Sequence, residues 1–91
     1  MFLQWLFGNK KLKVLGTVVH YFDKIGVAVV VLGDSLRVGD KIKIVRAESE
    51  FEETVKTMQI DHHEVMSAVK GQEVAIKISQ PTKNGARVYK L

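Results

Sequence analysis

The sequence predicts an all-β domain of six short strands, arranged as a barrel or a sandwich. Three observations carry this. Apolar and polar residues alternate at a period of two in several runs, most clearly Lys41-Ile42-Lys43-Ile44 and Val74-Ala75-Ile76-Lys77-Ile78, as in strands with one dry face and one wet face. Glycine, the single proline and Asn84-Gly85 punctuate the chain at short intervals. No run carries the sustained 3.6-residue apolar repeat of a long helix.

Residues 1–11 form an apolar-then-basic N-terminal segment, and residues 12–91 form one domain. Phe2, Leu3, Trp5, Leu6 and Phe7 bring five apolar residues together at one end, three of the seven aromatic residues among them. They are expected to pack over one mouth of the domain or to meet a partner, since aromatic residues dominate interface energetics. Lys10, Lys11 and Lys13 follow. The first strand runs from Leu12 to Phe22, with Val14, Gly16, Val18, His20 and Phe22 on one face and Leu15, Thr17, Val19 and Tyr21 on the other. Gly16 marks a bend or a close backbone approach. Asp23-Lys24-Ile25-Gly26 turns into the second strand, Val27–Leu32, which is apolar throughout. Its β-branching and short length argue against a helix.

Leu36-Arg37-Val38-Gly39-Asp40 is the turn that feeds the third strand. Gly39 supplies backbone freedom and Asp40 supplies an Asx-type hydrogen bond. Ile42 and Ile44 then face inward and Lys41 and Lys43 outward. Phe51–Ile60 is the fourth strand, and a bulge near Lys56-Thr57 would bring Val55 and Met58 into phase. Asp61-His62-His63-Glu64 reads as an exposed polar loop. Val65–Gly71 reads as a short apolar turn with Val65 and Ala68 inward. Gln72–Ser79 and Ala86–Leu91 complete the set, separated by the Gln80–Gly85 loop.

Taken in order, Gly16-Thr17-Val18, Gly26-Val27-Ala28-Val29, Leu36–Ile42, Val55–Gln59 and Val65–Ile76 resemble the second domain of the translational GTPases, the elongation factor Tu-like β-barrel. The resemblance covers about residues 14–79 and is nearest to the small translation-elongation-factor-like proteins. A similar barrel is appended to some U32 family peptidases. The resemblance implies a six-stranded closed antiparallel Greek-key barrel. It also implies a non-catalytic, translation-related module in the cytoplasm that binds RNA, transfer RNA or a ribosome-associated partner. Its alternative is a protein-interaction barrel that docks a partner enzyme such as a U32-type peptidase. The Gly-x-x-x-x-Gly-Lys-Ser/Thr phosphate loop does not occur, so nucleotide hydrolysis is not expected.

Composition narrows the chemistry. A chain of 91 residues buries only about 60–65% of its unfolded surface, so the core must be compact. There is no cysteine, which excludes disulfides, thiolate metal sites and cysteine nucleophiles. The net charge of +4 favours acidic partners. Residues 1–47 hold eight Lys/Arg against three acidic residues, and residues 48–91 hold six against seven. The nucleic-acid candidates are therefore Lys11, Lys13, Arg37, Lys41, Lys43 and Arg46, because phosphates select Lys and Arg. The partner-contact candidates are Phe2, Trp5, Phe7, His62 and His63.

No membrane partner, export signal, metal or cofactor is expected. Neighbouring histidines on a strand point to opposite faces and rarely share a metal. His20, Asp23 and Ser35 lack the spacing of a defensible catalytic triad, so no catalytic residue is assigned.

Overall fold

The computed structural model describes residues 13–91. Ten strands follow one another: β1 (Lys13–Phe22), β2 (Val27–Leu32), β3 (Leu36–Arg37), β4 (Lys41–Arg46), β5 (Ser49–Thr54), β6 (Met58–Ile60), β7 (His63–Val65), β8 (Ser67–Ala68), β9 (Glu73–Lys77) and β10 (Arg87–Lys90). Eight of them form one sheet in the order β5-β4-β10-β1-β2-β9-β6-β7, and β3 pairs with β8 in a second sheet. Every pairing is antiparallel.

The all-β character expected from the sequence is present, but the six-stranded closed Greek-key barrel is not. The large sheet is open, with β5 at one edge and β7 at the other. The small sheet is held near both edges by backbone hydrogen bonds. Gly39 N–H donates to the Val55 carbonyl (2.7 Å), Val55 N–H to the Asp40 carbonyl (2.9 Å) and Val38 N–H to the Met66 carbonyl (2.9 Å). These bonds also explain why Phe51–Ile60 is two strands and not one bulged strand. Val55 gives up sheet pairing for the Gly39–Asp40 turn, so β5 stops at Thr54 and β6 starts at Met58. Val55 and Met58 are both buried without sharing a strand phase.

A second correction concerns β1. Two register shifts interrupt it, between Val14 and Gly16 against β10 and between Val18 and His20 against β2. Each adds one residue on one side of the ladder, and a one-residue slip moves the following side chains to the other face. Leu15, Gly16 and Val18 are therefore buried, while Val14, Val19, His20 and Phe22 are exposed. Tyr21 packs against the core. Gly16 meets the close approach expected of it. A Cβ there would collide with the Val31 carbonyl oxygen and stand 2.9 Å from Val30 Cγ1.

The core joins both sheets. Ala28, Val30 and Leu32 of β2, Ile42 and Ile44 of β4, Val74 and Ile76 of β9 and Val88 of β10 meet Leu36 and Ala68 of the small sheet, all nearly inaccessible. Val27, Val29 and Val31 occupy the other face of β2 and are half-buried. The central turn is built on Gly39, whose φ is +101°. Asp40 closes it backward, not onto its own following backbone: its Oδ2 accepts from Arg37 N–H at 2.9 Å, and its own N–H donates to the Arg37 carbonyl at 3.1 Å. A left-handed residue without glycine's freedom sits in the β4–β5 connection, where Ala47 has φ +53°.

Candidate docking site at the free sheet edge

Asp61-His62-His63-Glu64 is a hairpin tip and a strand, not a loop. Ile60 pairs with His63, Gln59 with Glu64 and Met58 with Val65, which leaves Asp61 and His62 as a two-residue connection. Both have positive φ, 51° and 66°, the requirement of a type I′ hairpin turn. Asp and His tolerate the left-handed region better than most residues. Without a glycine, the sequence gives little sign of this geometry. His62 at the tip, His63 and Glu64 are exposed, as expected.

β7 has β6 as its single sheet neighbour. An unpaired strand edge presents N–H and C=O groups that an extended segment of another protein can pair with. Just beyond β7, Met66 is 73% exposed and Val69 59% exposed, unusually wet for apolar side chains that follow one another so closely. Met66 also lines a cleft of about 240 Å³ together with Val38, Lys56, Thr57, Met58, Glu64 and Val65. A free ladder edge next to an apolar cleft can take a partner's backbone on one and its side chains in the other.

The basic candidates are scattered and mostly engaged. Lys13 Nζ lies 3.8 Å from Asp34 Oδ2 at the start of β1. The Ser35 N–H donated to Asp34 (2.7 Å) holds that carboxylate below its ordinary pKa, with Lys13 adding to the effect. Arg37 is exposed on β3, in the small sheet. Lys41 and Lys43 do share the outer face of β4, but β5 runs beside them. Lys43 stands opposite Glu52 and 3.5 Å from Glu50 Oε2. Arg46, at the far end of β4, donates from Nε to the Asn84 carbonyl at 3.2 Å and lines a separate groove with Phe51, Pro81 and Lys83. Lys11, like Phe2, Trp5 and Phe7, lies outside the described residues.

Two functional placements were not legible in sequence. Glu53 accepts from Ser79 N–H (3.0 Å) and Ser79 Oγ (2.8 Å) and so ties β5 to the segment that follows β9. Lys90 Nζ donates to the Ser35 carbonyl at 3.2 Å and pairs with Asp40 at 3.8 Å, bracing the central turn from β10.

Comparison with known proteins decides between the two readings of the fold. No family model matches the chain. Two crystal structures of the C-terminal domain of a Geobacillus thermoleovorans protein assigned to the U32 peptidases superpose on it. One has a TM-score of 0.82 at 22% identity, covering 87% of this chain and 92% of that one. Its selenomethionine variant has a TM-score of 0.80 at 22% identity, covering 84% and 96%.

The fold is that of this peptidase C-terminal domain.

In sequence, the chain is 40% identical over 78 residues to an uncharacterised protease of Methanocaldococcus jannaschii, a match that covers 85% of this chain. The chain spans 19% of the length of that protease. These matches overturn the elongation factor Tu-like assignment, and with it the RNA-binding, translation-factor role. They also overturn the expectation of a non-enzymatic module, because the relatives are named as a protease and a peptidase. The physical reason agrees: Lys43 faces glutamates, and Lys13, Arg37 and Arg46 sit on separate elements. No helix among the described residues is long and apolar enough to cross a membrane.

Proposed function

We propose that this domain serves a U32-type peptidase as its C-terminal-type domain, docking through the β6–β7 edge onto the rest of that enzyme. The observation that carries this is the 40% identity to a protease of which the chain matches only a fifth. A domain of that proportion must present a surface to the remaining four-fifths. The free edge of β7, the exposed Met66 and Val69 and the adjoining cleft supply an apolar surface with unpaired backbone groups. His62 and His63 are the contact residues at its tip. The cytoplasm is the compartment assigned to this assembly, in keeping with a chain free of cysteine.

The test mixes this chain with the Methanocaldococcus jannaschii protease lacking its matching 78 residues and weighs the mixture by light scattering. A one-to-one complex is expected. Met66→Asp places a charge at the edge of the apolar cleft. It is expected to weaken the complex about tenfold or more, equivalent to about 1.4 kcal/mol, while leaving the thermal midpoint of the isolated domain unchanged, since Met66 is largely exposed. Failure of the two proteins to associate at high micromolar concentration would overturn the proposal.

A further inference from the structure

Arg46 stands where the alternation of β4 calls for an apolar residue. Ile42 and Ile44 are buried on the inner face of the strand, and Arg46 follows them in the same phase. Across the ladder, Ile44 pairs with Phe51 and Arg46 with Ser49. Ile44, Arg46 and Phe51 meet Pro81, Thr82 and Lys83 of the β9–β10 connection around a cleft of about 270 Å³. Ile44, Phe51 and Pro81 give this cleft an apolar wall. Arg46 and Lys83 give it two positive charges, and no carboxylate lines it. Glu50 is turned away, paired with Val45 and held near Lys43. The Arg46 side chain is anchored through Nε on the Asn84 carbonyl. Among the described residues, its Nη groups and Lys83 Nζ have no hydrogen-bond or ion-pair partner.

We propose that this cleft binds the C-terminal residue of a peptide, its carboxylate on Arg46 and Lys83 and an apolar side chain against Ile44, Phe51 and Pro81. A guanidinium anchored through Nε keeps its Nη groups for a carboxylate, and such charge-assisted bonds are the strong ones. The last residue of a peptide carries its carboxylate and its side chain on one carbon, so it meets the charged and the apolar parts of the cleft together. An inorganic anion has no apolar part to offer. The cleft continues into a wider groove of about 610 Å³ that shares Arg46, Pro81, Thr82 and Lys83 and runs on to Tyr21 and Asp23. That groove gives the preceding residues of the peptide a path past the Tyr21 ring. The Asp23 carboxylate in it disfavours a ligand with a second negative charge. The inference does not depend on the peptidase docking, because this cleft lies at the β4–β5 end and β7 is the opposite edge of the sheet.

The probe is acetyl-glycyl-glycyl-leucine, titrated into the isotope-labelled full chain and followed by the amide resonances. Saturable shifts are expected at millimolar peptide, concentrated at Ile44–Phe51 and Thr82–Asn84. The same peptide with a C-terminal amide is expected to bind about tenfold more weakly, the loss of charge-assisted hydrogen bonds. Arg46→Gln is expected to weaken the free acid by about the same factor. Should that variant disturb the loop by losing the Nε bond to Asn84, Lys83→Gln tests the site alone. Lys83 is exposed, and its replacement is expected to cost several-fold in affinity with the spectrum of the unbound chain otherwise retained. Four results would overturn the proposal. The peptide fails to saturate, or shifts amides away from the cleft. The amide binds as well as the acid. Inorganic phosphate binds as well as the peptide, which would leave a general anion site. Affinity is unchanged in either folded variant.

Discussion

Gly16→Ala is expected to destabilise the domain by about 3 kcal/mol, the upper range for a side chain forced into a packed interior. The added methyl would overlap the Val31 carbonyl oxygen and press on Val30 Cγ1 at 2.9 Å. The first neighbour is backbone, so no rotamer change relieves the clash. β1 would have to move away from β2, where Gly16 pairs with Leu32 and Thr17 with Val31. β1 and β2 are neighbours at the centre of the sheet, which leaves few ways to relax. Equilibrium urea denaturation measures the loss, and the thermal midpoint should fall by roughly 15 °C for a domain of this size. Ser or Val at this position should do at least as much damage.

Leu36→Ala is expected to cost about 3 kcal/mol, within the usual range for a fully buried leucine. Leu36 is completely inaccessible and pairs with Ala68. Only four residues make the β3–β8 ladder, so hydrogen bonding alone cannot hold it against the large sheet. Its attachment comes from Leu36 and Ala68 in the common core and from the bonds of Val38, Gly39 and Asp40 to Met66 and Val55. The loss should appear in a single cooperative transition. A cost below about 1 kcal/mol, the level typical of surface positions, would show that the small sheet contributes little to the core.

The strands themselves were readable because their apolar periods are clear. Ile42 and Ile44 in β4, and Val74, Ile76 and Ile78 in and after β9, are buried as the alternation requires. The way the strands join was not readable. Closure depends on register, and the two irregularities in β1 fall at Leu15 and Val19, residues whose types do not distinguish a bulge from a regular strand. β3 and β8, at two residues each, are too short for any period. In β2 every residue is apolar, so its core face of Ala28, Val30 and Leu32 could be found only from its neighbours.

The site divides in the same way. The exposure of His62 and His63 followed from their polarity. The left-handed tip did not, since Asp61-His62 lacks the glycine that usually announces a type I′ turn. The lysines of β4 looked like a basic surface because the pairing that sets Glu52 opposite Lys43 is non-local. The free edge of β7 is a property of sheet order, which no single stretch of sequence contains.

The most direct test of the docking assignment is amide hydrogen exchange on this domain, alone and in complex with the protease body. Exchange reports the opening of individual backbone groups. Slowed exchange is predicted within His63–Val65, where a partner strand would engage the free edge of β7, with the β4–β5 edge unchanged. A complex that forms without protecting His63–Val65, or that protects the β5 edge instead, would contradict it.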